Sequence, residues 1–123
     1  MTIAEAIQCI DNLKPNTYSE IDKIKWLSKL DGIVKKEIID THEGGESVVF
    51  NGYDENTSTD TELIAKAPYD DIYTSWLESR IDYANGEYAK YNNSTTVFNT
   101  AYSAFASAYN REHMPIGTKA KYF

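Results

Sequence analysis

The chain has 123 residues, of which 25% are charged, and a formal net charge of −7 at pH 7. This length suits one domain that can bury roughly two-thirds of its unfolded surface. The acidic balance argues against an autonomous nucleic-acid-binding protein, because phosphate contacts need clustered Lys and Arg. The single cysteine, Cys9, excludes an internal disulfide. Its apolar neighbours on a helix face predict that it is a small buried side chain.

Membrane and secretory signals are not apparent in the sequence. No run of residues approaches the ~18 apolar side chains of a membrane-spanning helix, and Met1-Thr2-Ile3 does not begin a signal peptide. We therefore expect a protein that is made in the cytosol and has no membrane partner.

The first predicted helix lies at the start of the chain. Thr2 and Glu5 have the spacing of a capping box and precede an apolar stripe of helical period. Pro15 should stop this helix near Leu13 or Lys14.

A second helix should begin after Ser19, whose side chain suits an N-cap. Its inner face carries apolar residues as far as Ile38, and Gly44-Gly45 should terminate it. Gly32 interrupts this run at a cost of about 1 kcal/mol relative to Ala. Close approach of another helix is one reason for a glycine there.

Residues 43–66 differ in character from the helices. Ser47–Phe50 is a short β-prone run, and Leu63–Ala65 could return as a second short strand. Between them, Asp54–Glu62 is acidic and contains no apolar residue. These features predict a small β-excursion with a mobile acidic tip that is dispensable for folding.

The C-terminal third carries a long apolar and aromatic stripe with alternating steps of four and three residues, as on one helix face. Its members are Tyr69, Tyr73, Leu77, Ile81, Ala84, Tyr88, Tyr91, Phe98, Tyr102, Phe105 and Tyr109. We interpret most of the stripe as core. Pro68 fits the start of this helical region and Pro115 its end. The polar run around Asn93 favours a break into two helices over one bent helix, which gives four helices in total.

Chemistry-bearing motifs are weak throughout. The acidic loop has the spacing of a calcium loop, but Thr59 occupies the position that needs glycine, which favours a solvated loop. The two histidines, His42 and His113, each fall near a helix end, where a histidine is favoured without any catalytic role. With no nucleophile motif or phosphate-binding loop, we expect no enzymatic activity, no cofactor and no metal.

The tail after His113 is the most basic part of the chain. Pro115 should end the last helix, and Gly117 should let the segment leave the domain as an arm. Two lysines and two terminal aromatic residues suit docking on an acidic neighbour. The predicted partner-binding residues are Met114, Pro115, Ile116, Lys119, Lys121, Tyr122 and Phe123.

A resemblance that covers nearly Met1–Pro115 is carried by five segments: Lys25–Gly32, Glu37–Gly45, Ala67–Tyr73, Tyr91–Ser94 and Tyr109–Pro115. These segments resemble a family of small proteins from tailed phages and prophages of Gram-positive bacteria. The family is that of the head–tail connector proteins, also called adaptor or head-completion proteins.

The residue patterns predict a mainly all-α fold: a small bundle of about four helices with a short β-excursion and an extended C-terminal arm. They divide the chain into a helical domain, 1–115, which includes the acidic loop 43–66, and an arm, 116–123, which lies outside the resemblance. The resemblance implies that 1–115 is a connector domain and that the chain is a virion structural protein, assembled in the host cytoplasm as a ring of about twelve copies. The ring would contact the portal and a tail or stopper protein, and DNA would pass through its lumen without specific binding.

A second interpretation stays open at this point. The chain could be a small, soluble, non-enzymatic interaction module, such as a phage-encoded regulator, that acts as a monomer or dimer. An acidic surface and an aromatic stripe are compatible with both interpretations.

Overall fold

A computed structural model, which describes residues 1–116, shows a bundle of four α-helices and confirms the mainly all-α prediction. The helices are α1 (Ile3–Leu13), α2 (Glu20–Val34), α3 (Asp71–Ala84) and α4 (Tyr88–Glu112). A π-helical segment, Lys35–Ile39, extends α2, and a 3-10 turn spans Gly45–Ser47. Helices α3 and α4 form an antiparallel hairpin, on which α1 and α2 pack through α3.

The helix starts follow the local sequence signals. The Thr2 hydroxyl accepts a hydrogen bond from the Glu5 amide at 3.1 Å, and the Glu5 carboxylate accepts one from the Thr2 amide at 2.9 Å. The Ser19 hydroxyl accepts from the Asp22 amide at 3.1 Å. Each cap satisfies amides that a helix start leaves without partners. Helix α1 ends at Leu13, as Pro15 predicts.

One apolar core joins all four helices. Its fully buried members on α1, α2 and α3 each contribute roughly 1.5–3 kcal/mol by leaving water. They are Ile3, Ile10, Leu27, Val34, Ile72, Tyr73, Leu77 and Ile81. Helix α4 closes the core mainly with Phe105 and Ala108.

Two ion pairs, each with one buried partner, link α1 to the rest of the bundle. Lys14, at the end of α1, pairs with Asp82 of α3, and the Ser94 hydroxyl of α4 donates to the same carboxylate at 2.9 Å. The buried Lys23 ammonium on α2 donates to Asp11 of α1 at 2.7 Å. The Asp82 carboxylate thus links α1, α3 and α4, and its two partners offset the cost of burying it.

The predicted helix break near Asn93 is wrong, because α4 runs through that position without interruption. The break lies at Asn85–Glu87 instead. Gly86 has a φ of +73°, its amide donates to the Tyr83 carbonyl, and the Glu87 amide donates to the Asp82 carbonyl. This is the Schellman motif, which favours glycine at the left-handed position.

The predicted β-excursion is also wrong. Residues 1–116 contain no β-strand, only isolated bridges between Thr2 and Glu62 and between His42 and Pro115. The acidic loop instead returns along the start of α1, where the Thr61 and Thr59 carbonyls accept from the amides of Ile3 and Ala4. Its last residues therefore cap a helix whose first amides have no partners inside it.

Because only the end of the acidic loop caps α1, replacing the two parts of the loop should change the free energy of unfolding by different amounts. Replacing Asp54–Ser58 by a Gly-Ser linker of equal length should change the free energy of unfolding by less than ~1 kcal/mol. The same replacement of Thr59–Glu62 should cost more, since flexible residues hold the two capping carbonyls less firmly. Urea unfolding of both variants measures this difference, and equal effects would contradict the capping role.

Two smaller expectations also change. Cys9 is exposed rather than buried, because the buried stripe of α1 passes through Ile3, Ala6 and Ile10 on a neighbouring face. The neighbour at Gly32 is not another helix but the Phe50 ring, which would lie 3.7 Å from an added Cβ.

A candidate interaction surface at the C-terminal end

The described part of the C-terminal segment is tied to the domain. The Met114 carbonyl accepts from the Glu43 amide at 2.8 Å, and the Ile116 amide donates to the Thr41 carbonyl at 2.8 Å. Met114–Ile116 therefore runs antiparallel to Thr41–Glu43, and the predicted arm, 116–123, starts from a residue that is hydrogen-bonded to the domain. The rest of that arm lies outside the described residues.

The side chains of this segment still face outwards. Met114 is 51% exposed and Ile116 is 60% exposed, while Pro115 is half-buried against His42. Two apolar side chains, those of Met114 and Ile116, therefore remain open to a partner. The other predicted binding residues, Lys119, Lys121, Tyr122 and Phe123, lie outside the described residues.

An aromatic stack supports this end of the molecule. The Tyr109 ring lies between both histidines, with His113 stacked at a centroid distance of 3.9 Å and His42 edge-on at 4.9 Å. The buried His42 places Nδ1 2.5 Å from the Ile38 carbonyl oxygen and Nε2 2.5 Å from Asn110 Oδ1. The stack joins α4 to the end of the π-helical segment, a contact between parts of the chain about 70 residues apart. Sequence reasoning placed both histidines at helix ends but not beside the same tyrosine.

The π-helical segment sets the position of His42. The Asp40 amide donates to the Lys35 carbonyl at 2.9 Å, five residues back, and the Thr41 hydroxyl donates to the Ile38 carbonyl. The Lys35 ammonium then bonds the Gly45 carbonyl at 2.8 Å and Asp40 Oδ1 at 2.5 Å. Such π turns occur frequently at functional sites.

The buried carboxylate of Asp31 binds the loop between the 3-10 turn and α3. Asp31 Oδ2 accepts from the Tyr53 hydroxyl at 2.5 Å and from the Ile64 amide at 3.1 Å, and Oδ1 accepts from the Tyr73 hydroxyl at 2.6 Å. The Tyr73 hydroxyl in turn accepts from the Ala65 amide at 2.7 Å. We call these four side-chain and backbone contacts the Asp31 clamp.

Burial decides the charge state of the groups in the clamp. Desolvation raises the pKa of Asp31 above its usual value, against the opposing effect of its hydrogen bonds. Burial also raises the pKa values of Tyr53 and Tyr73, and the neighbouring Asp31 charge adds to the effect. Both tyrosines therefore stay protonated and donate at neutral pH.

Two members of the clamp, Tyr53 and Ile64, line a mainly apolar cleft of about 510 Å³, which we call the Val49 cleft. One wall is Val48–Tyr53 and the other is Thr61–Ile64, with Tyr109 and His113 at one end. The volume falls in the range of pockets that bury small ligands, roughly 300–1,000 Å³. Val49 is 79% exposed at its rim.

The aromatic stripe is only partly core. Tyr73 and Phe105 are buried, whereas Tyr88 is 61% exposed beside Tyr83 at the tip of the α3–α4 hairpin. Because the chain turns at Gly86, the stripe leaves the core there. The prediction that most of the stripe is core is confirmed away from the hairpin tip, where its members are buried or packed against the core, and is wrong for Ala84 and Tyr88 at the tip.

Neither a metal site nor a membrane span is found in the described part of the chain. No group of three or more His, Cys, Asp or Glu side chains in residues 1–116 is placed to hold a metal ion. None of the helices in that range combines the length and apolar character that crossing a bilayer requires.

Comparisons of this chain with protein-family models, with curated proteins and with solved structures gave no match.

Proposed function

We propose that this chain is a head–tail connector protein of a tailed phage or prophage. Copies of it form a ring between the portal and the tail, and the ring lines the channel through which DNA passes. The observation that carries the proposal is the resemblance of five segments to that family, together with the contacts that these segments make with one another.

The family-like segments provide the long-range contacts of the fold. Asp31, in the first segment, bonds Tyr73, in the third. His42, in the second, bonds Asn110, in the fifth, and the Glu43 amide bonds the Met114 carbonyl. Contacts between distant parts of the chain determine the fold, so proteins that share a fold are expected to share the residues that make those contacts.

The charge of the chain fits this role. A net charge of −7 gives an acidic ring, and an acidic lumen would not retain DNA phosphates. A basic lumen would instead release counterions and hold the DNA.

The exposed apolar side chains fit an assembly. Tyr83 and Tyr88 are exposed at the hairpin tip, and Met114 and Ile116 are exposed at the C-terminal end. Exposed apolar groups at separate ends of the molecule suit head-to-tail contacts, which close into rings.

Light scattering of the purified chain mixed with the portal protein of the same genome tests the proposal. We expect a complex whose mass exceeds that of the portal by many copies of the chain, even if the chain alone is monomeric. A chain that stays monomeric or dimeric with the portal present would favour the small interaction module instead.

A further inference from the structure

The Val49 cleft has no occupant among residues 1–116, although its walls are apolar and open. Val49 and Phe50 form one side, and Leu63 and Ile64 form the other. Covering this surface by an apolar group would be favourable by roughly 25 cal/mol per Å².

We propose that the Val49 cleft binds the C-terminal residues 117–123 of a second copy of this chain. Tyr122 and Phe123 supply the aromatic groups that the apolar walls accept. The proposal rests on the proposed function, because a ring places each copy beside the next.

The cleft is preformed, which reduces the cost of binding. Tyr53 on one wall and Ile64 on the other both bond Asp31 Oδ2, so a single oxygen atom fixes the distance between the two walls. A rigid site loses less conformational entropy when an occupant arrives.

The chemistry of the segment matches the cleft. Residues 117–123 contain two lysines, two aromatic residues and no acid, while the remainder of the chain is more acidic than the whole. Glu62 lines the cleft, but its carboxylate already lies 3.3 Å from the Met1 ammonium and 3.8 Å from the Lys66 ammonium, and Lys66 lines the cleft too. The aromatic side chains rather than the lysines therefore match the cleft, and aromatic side chains seated in apolar pockets dominate many interfaces.

The position of Ile116 favours a cleft on another copy. Ile116 lies in a separate hollow with Glu37, Thr41 and Asn110, lined by His42 rather than by Tyr109 and His113. The segment thus starts in a different hollow from the cleft, and its seven residues reach at most about 25 Å. A segment that binds the next copy makes a head-to-tail contact, which can repeat around a ring.

Disulfide trapping tests the proposal in the full-length chain. Cys9 is first replaced by Ser, which leaves no native thiol. Two further variants, Val49→Cys and Phe123→Cys, are purified separately, mixed with and without the portal protein, and oxidised. We expect mixed disulfide dimers to form about tenfold faster than in a control mixture, because binding raises the local thiol concentration. The control replaces Val49→Cys by Val97→Cys, which is also exposed, at 58%.

The outcomes separate this proposal from the proposed function. A rate equal to that of the Val97 control, with and without portal, would overturn the cleft as the docking site. A third variant carries both Val49→Cys and Phe123→Cys on one chain. If a disulfide forms within that chain and none forms between chains in the mixture, the segment binds the cleft of its own copy, which would overturn the role of the second copy. Rings that form with the portal but give no trapped dimers refute the cleft alone. Trapped dimers without a portal complex support the cleft and refute the connector function.

Discussion

Replacing Asp31 by Ala should destabilise the protein by about 3 kcal/mol. The substitution leaves the Tyr53 hydroxyl, the Tyr73 hydroxyl and the Ile64 amide without their shared acceptor. Each buried donor without a partner costs roughly 1–3 kcal/mol, and removing a carboxylate that is costly to bury offsets part of the sum. Urea unfolding monitored by circular dichroism measures the loss.

Asp22→Ala is the matched control, because Asp22 is an exposed acid on the same helix. It should cost less than ~1 kcal/mol, through the helix dipole alone. Similar effects of the two substitutions would show that the clamp contributes little to stability.

The pH dependence of the Asp31 effect has a definite sign. Because the folded-state pKa of Asp31 is raised, the folded chain holds this proton more tightly than the unfolded chain. The contribution of Asp31 to stability is thus fully present below its unfolded-state pKa and decreases as pH rises through the folded-state value. The difference in unfolding free energy between wild type and Asp31→Ala should therefore be larger in acid than at neutral pH.

Gly45→Ala should have the second large effect, about 2–3 kcal/mol. An added Cβ would overlap the Ile39 carbonyl oxygen and lie 3.0 Å from the Ile39 carbonyl carbon. Those atoms are backbone at the end of the π-helical segment, so the segment would have to move. Thermal unfolding reports the cost, and an unchanged melting temperature would contradict this packing.

The neighbouring glycine provides the comparison for Gly45→Ala. Gly44 has a φ of +83°, but an added Cβ there would meet no atom within 4 Å. Gly44→Ala should thus cost only the backbone strain of the left-handed region, about 1–2 kcal/mol. The two variants separate steric overlap from backbone strain.

The features that sequence predicted well depend on neighbouring residues. The capping box at Thr2 and Glu5, the cap at Ser19 and the stop before Pro15 each involve residues within a few positions of one another. The break at Gly86 had a local signal too, since Asn-Gly is a strong turn sequence. The regular stripe concealed it, because the spacing of apolar residues continues from α3 into α4.

The candidate surface was harder to predict. Asp31 stands four residues after Leu27 on the inner face of α2, and an acid in that stripe was a signal that the side chain is buried and bonded. Its partners Tyr53, Ile64 and Tyr73 come from 22 to 42 residues away, which no local pattern indicates. The pairing of Met114–Ile116 with Thr41–Glu43 is long-range in the same way. Tertiary contacts, rather than propensity, set both features.

The connector function is tested most directly by negative-stain images of the portal protein mixed with this chain. The account predicts an additional ring on the portal axis, at the end that faces the tail, with about twelve copies in rotational symmetry. Images in which the portal is unchanged at saturating amounts of the chain would contradict the account.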